Sequence, residues 1–168
     1  SSLQNNFCDI IDFTVSSSNV SGITWDFSDP NSPGLGSGSS TSHAYSEIGY
    51  YTVVVSGTVP NTTNTTVCTV AEAIQVVVAM TARFREEVSC QPTPADSPQI
   101  CLYDETAYIP GTGVQQWLWS IGVNTPTSTS LTSFCTSNLA LGSTQSTTLV
   151  ASHNPSGCIS EYSSNIDV

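Results

Sequence analysis

Helical periodicity is almost absent from this 168-residue chain. Short runs rich in Val, Ile, Thr, Tyr and Phe alternate instead with clusters of Gly, Pro, Asn and Ser. β-Branched and aromatic side chains suit a pleated, half-buried surface, and the clusters supply turns, so the pattern predicts an all-β sandwich. The strand candidates are Cys8–Val15, Gly22–Phe27, Tyr50–Val59, Val67–Phe84, Ile100–Ala107, Gln115–Ile121, Thr147–Ser152 and Ile159–Val168. The stretch from Asp29 to Gly38 holds two Pro and five further turn-forming glycines and serines close together, and reads as a loop.

Comparison of the two halves shows one order of parts twice. Cys8 is followed by Phe13, Trp25-Asp-Phe, Gly49-Tyr-Tyr-Thr-Val-Val-Val, Cys68 and Ala73-Ile-Gln-Val-Val-Val. Cys90 is followed by Tyr103, Trp117-Leu-Trp-Ser-Ile-Gly, Thr147-Thr-Leu-Val-Ala, Gly157-Cys158 and Ser164-Asn-Ile-Asp-Val. Two domains follow, 1–80 and 81–168. No Gly or Pro occurs from Ala73 to Arg85, and Ile74, Val76, Val78, Met80, Ala82 and Phe84 fall on one face at period two. The last strand of the first domain is therefore expected to run nearly directly into the second, as a short stiff junction rather than a Gly/Ser-rich hinge.

Charge narrows the partners. The chain has 13 acidic residues, two cations and a formal charge of −11. Phosphate backbones and anionic lipid surfaces require clustered Lys and Arg, so neither nucleic acid nor a membrane is expected as a partner. Lysine is absent, which excludes Schiff-base chemistry, a P-loop and Lys–Asn isopeptide cross-links. No apolar stretch is long enough to cross a bilayer as a helix.

Six cysteines stand at 8, 68, 90, 101, 135 and 158, with no CxxC or Cys/His metal spacing. An even number at wide spacing, in a chain with 50 Ser and Thr, reads as disulfides formed outside the cytosol. Asn19, Asn61 and Asn64 head N-x-S/T sequons and are the glycosylation candidates, whereas Pro155 blocks the one at Asn154. The start at Ser1, with no leader before it, reads as a mature chain or a piece of a longer secreted one.

Trp25-Asp26-Phe27-Ser28-Asp29 resembles the WDFGDG signature of PKD domains, the immunoglobulin-like sandwiches of polycystic kidney disease type. His43-Ala-Tyr45 followed by Gly49-Tyr-Tyr-Thr-Val-Val-Val is similar to that family's HxYxxxGxYxVxL stretch. Cys8 and Cys68 resemble the cysteine pair common in PKD-like repeats of secreted bacterial proteins. The resemblance covers residues 8–79 and departs at Ser28 and Pro30, where the family has Gly. The second domain resembles the family through Trp119-Ser-Ile-Gly and Gly157-Cys158 only. The resemblance implies seven-stranded sandwiches that are extracellular and non-catalytic, serving as spacers, adhesive repeats or accessory modules. With the repeat alignment it also implies the pairs Cys8–Cys68 and Cys90–Cys158, leaving Cys101 with Cys135. A local Cys90–Cys101 loop with Cys135–Cys158 is the rival.

Chemistry is sparse. The two histidines, His43 and His153, fall in different domains. His43 is expected to pack or to bond to backbone, and His153 to lie in a solvated turn. No GxSxG or HExxH occurs, and the chain is read as a non-enzyme. Asp26 and Asp29 are a turn pair that could join a calcium site with loop carbonyls. Arg83 and Arg85 share a strand face beside Glu86 and Glu87, as a surface ion pair or a subunit-docking point. Trp117 and Trp119 share one face, with Leu118 on the other, and form a sugar platform only if that face is exposed.

The resulting expectation is an extracellular, cell-surface structural or adhesive protein that self-associates or binds other extracellular proteins or glycans. A surface-fibre subunit is one form of it, assembled by strand addition through Ser1–Phe7 or Ser163–Val168. The alternative is a carbohydrate-binding accessory module of a secreted hydrolase.

Overall fold

A computed structural model describes residues 7–60, 67–89, 98–123, 127–128, 132–137, 139–140 and 142–168. The described chain is all-β, without helix. It divides into two compact units, Ser1–Ala79 and Met80–Val168.

In the first unit the strands are β1 (Ile10–Thr14), β2 (Ser21–Asp26), β3 (Leu35–Ser37), β4 (Ser40–Ala44), β5 (Gly49–Pro60) and β6 (Val67–Val78). They form an antiparallel pair, β1-β4, and a four-stranded sheet in the order β3-β2-β5-β6. Alternation decides what lies between them. Ile23, Trp25 and Phe27 point inward and their neighbours outward, and Val53, Val55, Val76 and Val78 do the same from β5 and β6. Phe13 of β1 lies 5.5 Å from both Trp25 and Phe27, ring centre to ring centre. Trp25 is fully buried, and its indole N–H donates to the Gly38 carbonyl at 2.9 Å, so its one polar atom is satisfied. Gly36 is required on β3: a Cβ there would come within 2.7 Å of the Phe27 ring.

The second unit contains β7 (Met80–Thr81), β8 (Phe84–Ser89), β9 (Gln99–Asp104), β10 (Ala107–Tyr108), β11 (Gly113–Ile121), β12 (Thr127–Ser128), β13 (Ser133–Thr136), β14 (Thr144–Asn154) and β15 (Ile159–Asp167). Its sheets are β12-β11-β14-β15, β13-β9-β8 and β10-β7. The four-stranded sheet repeats the order of the first unit. A Trp strand lies between a short and a long strand, and the unit's last strand is at the edge. Trp25 is registered on Val55, Trp119 on Leu149, and both indoles are 0% exposed. Each Trp strand also carries a register shift before its Trp, between Ser21 and Thr24 and between Val114 and Gln116. Ile100, Leu102, Ile121, Leu149, Ala151 and Ile166 complete the apolar interior. In β9 the inward residue is Leu102, not its repeat-aligned neighbour Tyr103, which is half-buried.

The expected single strand over Val67–Phe84 is divided. Ile74, Val76, Val78, Met80, Ala82 and Phe84 do keep the burial rhythm, with Ile74 half-buried and the others buried. Their backbone partners change along the run, however: β6 pairs with β5, β7 with β10, and β8 with β9. Side-chain alternation reports the face of a strand and not its neighbour.

The cysteines require a correction. Cys101 and Cys135 stand directly opposite each other on β9 and β13, with Cα atoms 4.1 Å apart, and form a disulfide. That excludes the local Cys90–Cys101 loop. Cys8 and Cys158 each take part in a disulfide, but Cys68 is a free, exposed thiol, so the expected Cys8–Cys68 bond does not form. Strand length explains it. The Asp9 carbonyl accepts from the Tyr45 N–H, which places Cys8 near the start of β5. Cys68 is registered on Val59, near the end of that twelve-residue strand. At about 3.3 Å per residue the two ends are roughly 30 Å apart. Cys90 lies outside the described residues.

Candidate functional site

The inward alternation of β2 does not stop with the strand. Ile23, Trp25 and Phe27 are followed at the same spacing by Asp29, which is buried although it opens a Pro-rich loop. On the facing strand the same rhythm turns His43 and Tyr45 inward. The two polar side chains meet: Asp29 Oδ2 lies 3.0 Å from His43 Nε2, with side chains 1% and 9% exposed. The His43 ring stacks on Phe27 at 4.2 Å and meets the edge of Tyr45 at 4.6 Å. Tyr45 in turn lies 4.2 Å from Tyr51. Hydroxyls cap the stack, Tyr45 donating to the Phe27 carbonyl at 3.3 Å and Tyr51 to the Glu47 carbonyl at 2.9 Å. Burial, with the Asp29 carboxylate beside them, raises the phenol pKa of both Tyr45 and Tyr51 above 10.0.

Each feature of the Trp-Asp-Phe-Ser-Asp stretch has a local use. Asp26 Oδ1 accepts the Ser28 N–H at 2.9 Å, and Asp29 Oδ1 accepts the Asn31 N–H at 3.0 Å. Both are turns of the kind Asp side chains make. Ser28 takes a left-handed backbone, φ 52°, and its hydroxyl donates to the Thr52 carbonyl at 2.7 Å. The serine therefore adopts the backbone conformation that glycine prefers, and an added hydrogen bond holds it there.

Asp26 and Asp29 line one open depression with Ser28, Pro30 and Leu35. Their carboxylates serve the turns, and Asp29 also serves His43. Among the described residues no group of three or more His, Cys, Asp and Glu could hold a metal ion.

His153, expected in a solvated turn, is 3% exposed. It is the last inward residue of β14, after Leu149 and Ala151. Its Nδ1 is 2.8 Å from Ser156 Oγ, and its Nε2 is buried without a hydrogen-bond partner. Burial lowers its pKa below 6.5.

Trp117 and Trp119 share a face, and it is the inner one. Trp119 is fully buried and Trp117 half-buried, its indole donating to Asp104 Oδ2 at 2.7 Å, while Leu118 is outward and exposed. The sugar platform therefore does not form. Asp104 also accepts the Thr106 N–H at 3.0 Å. Arg83 and Arg85 are both exposed. Arg85 lies 3.4 Å from Glu87 and 3.6 Å from Glu105, with its guanidinium 4.4 Å from the centre of the Tyr103 ring. This is a surface ion pair worth under about 1 kcal/mol. Asn19 lies in an exposed loop, and Asn61 and Asn64 fall outside the described residues, as does Ser1–Asn6 of the expected N-terminal strand-addition segment.

No protein-family model matches this chain, and neither a curated protein nor a solved structure does.

Proposed function

We propose that this chain is a non-catalytic extracellular module, a structural or adhesive protein built of two PKD-like immunoglobulin-type sandwiches. One observation carries the proposal: both units repeat the same four-strand order around a buried Trp, with carboxylates engaged in contacts that hold the fold. Asp29 and His43 tie the loop after β2 to β4, and Asp104 holds the Trp117 indole. The disulfides fit an oxidising compartment. The dense Ser/Thr surface and the acidic charge suit a soluble exterior.

Immunogold labelling of intact cells that make the protein tests this reading. Labelling before permeabilisation is the expected result, and labelling only after it refutes an extracellular role. Turnover by the purified chain of any ester, peptide or glycoside in a hydrolase panel refutes the non-catalytic part.

A further inference from the structure

We infer that the outer edge of β6 is a self-association surface, on which the β6 of a second copy of this chain adds antiparallel. β6 is twelve residues long and closes the sheet β3-β2-β5-β6, with a partner on its β5 side alone among the described residues. Alternate residues of such a strand aim N–H and C=O groups outward, about six of each over this length.

Natural edges are blunted by charge, proline, bulges or short length. β6 has almost none of these. It holds no Pro, its twelve pairs with β5 run without a register shift, and Glu72 is its one charged residue. Val67, Val70 and Val77 stand exposed on it. The equivalent edge of the second unit, β15, contrasts with it. That strand is shorter, carries Glu161 and Asp167, and at its start Ser160 Oγ accepts the Ala82 N–H at 2.7 Å.

Charge selects the occupant's approach. Two copies of a molecule of net charge −11 repel over most of their surface, and the β6 edge is a long stretch where that repulsion is small. Antiparallel pairing of the edge with itself is two-fold and closed. Centred on Ala73, it sets Val70 opposite the partner copy's Val76 and Glu72 opposite Ile74, so no carboxylates face each other.

The inference rests on the structural-module reading and names its partner. Sedimentation of the purified full chain reads it separately. A monomer leaves the cell-surface result untouched, and a failed cell-surface result leaves the sedimentation untouched. The measurement uses a Cys68→Ser background, so that no thiol cross-link contributes. The expected result is a concentration-dependent dimer. Ala73→Glu or Ala73→Lys, each placing like charges opposite across the two-fold, weakens it about tenfold, and an equimolar mixture of the two restores it. A Cys68→Ser chain that stays monomeric at millimolar concentration overturns the proposal, whether or not it captures foreign peptides. So does a mixture that associates no more tightly than either variant alone.

Discussion

The Asp29 carboxylate and the His43 imidazole meet at 3.0 Å inside the first unit, against the face of Phe27. The contact joins the loop after β2 to β4, across the space between two sheets. Removing one partner leaves the other buried and unpaired. Asp29→Ala also deletes the acceptor of the Asn31 N–H. It is expected to cost about 3 kcal/mol, within the range for breaking a buried polar pair. Urea unfolding of the single and double variants checks it: with His43→Leu in place, Asp29→Ala should cost clearly less. Strictly additive losses would mean that the two side chains do not act together.

The phenols behind that pair set the alkaline limit. Tyr45 and Tyr51 have raised pKa values, chiefly through burial. An unfolded chain ionises them near 10.0, earlier than the folded one. Their contribution to stability is thus intact below about pH 10 and is lost as pH rises through the folded values. Absorbance titration of the six tyrosines should show a late fraction that Tyr45→Phe reduces. A single transition near pH 10 in the folded protein would contradict the burial of both rings.

His153 sets the opposite limit. Burial lowers its pKa, so the unfolded state binds the proton more readily. Stability is complete above pH 6.5 and falls as pH drops below it through the folded value. In NMR titration the His153 ring should still be neutral at pH 6.5. Replacing it by Phe should flatten the decline in unfolding free energy between pH 6.5 and 5. A ring that titrates at 6.5 or above would show that the site is wet.

Much of this was legible in the residues. The two Trp strands, the long hairpin strands and the repeat all follow from alternation and from turn-forming clusters. Asp29 was not legible as a core residue, because the following Pro30 and Asn31 read as loop, although the 23-25-27-29 spacing already carried the signal. His153 was hidden in the same way by the Asn-Pro-Ser-Gly turn that follows it. The short strands β3, β10, β12 and β13 lack alternation long enough to read, and tertiary pairing alone defines them. Cys68 misled because repeat alignment gives order along the chain, whereas a disulfide needs proximity in space.

Backbone strain at Ser28 offers a local test. A left-handed residue with a Cβ costs roughly 1 kcal/mol, a cost that Gly avoids. The hydroxyl bond to the Thr52 carbonyl returns a similar amount. Ser28→Gly should therefore be nearly neutral, and Ser28→Ala should lose about 1 kcal/mol in denaturant unfolding. Equal stability of Ser28→Ala and Ser28→Gly would mean that the hydroxyl bond to Thr52 does not offset the left-handed backbone.

The two kinds of cysteine should separate most clearly. The Cys101–Cys135 bond closes a loop of 34 residues. Restricting the unfolded chain over that length is worth about 3–4 kcal/mol on the loop-entropy account. Replacing both by Ala should lower the unfolding free energy by about that amount, because the pair also sits at the centre of the β13-β9 ladder, between Leu102 and Ile100 on β9. Cys68→Ser changes an exposed side chain on an edge strand and should stay within about 0.5 kcal/mol of the parent. Peptide mapping without reduction gives the independent check: a peptide containing Cys101 linked to Cys135, and Cys68 alkylated by iodoacetamide in the native protein. If Cys68 resists alkylation until the chain is reduced, it is bridged after all. The Cys8–Cys68 bond implied by the PKD resemblance would then have to be reconsidered against the strand geometry that now separates its ends.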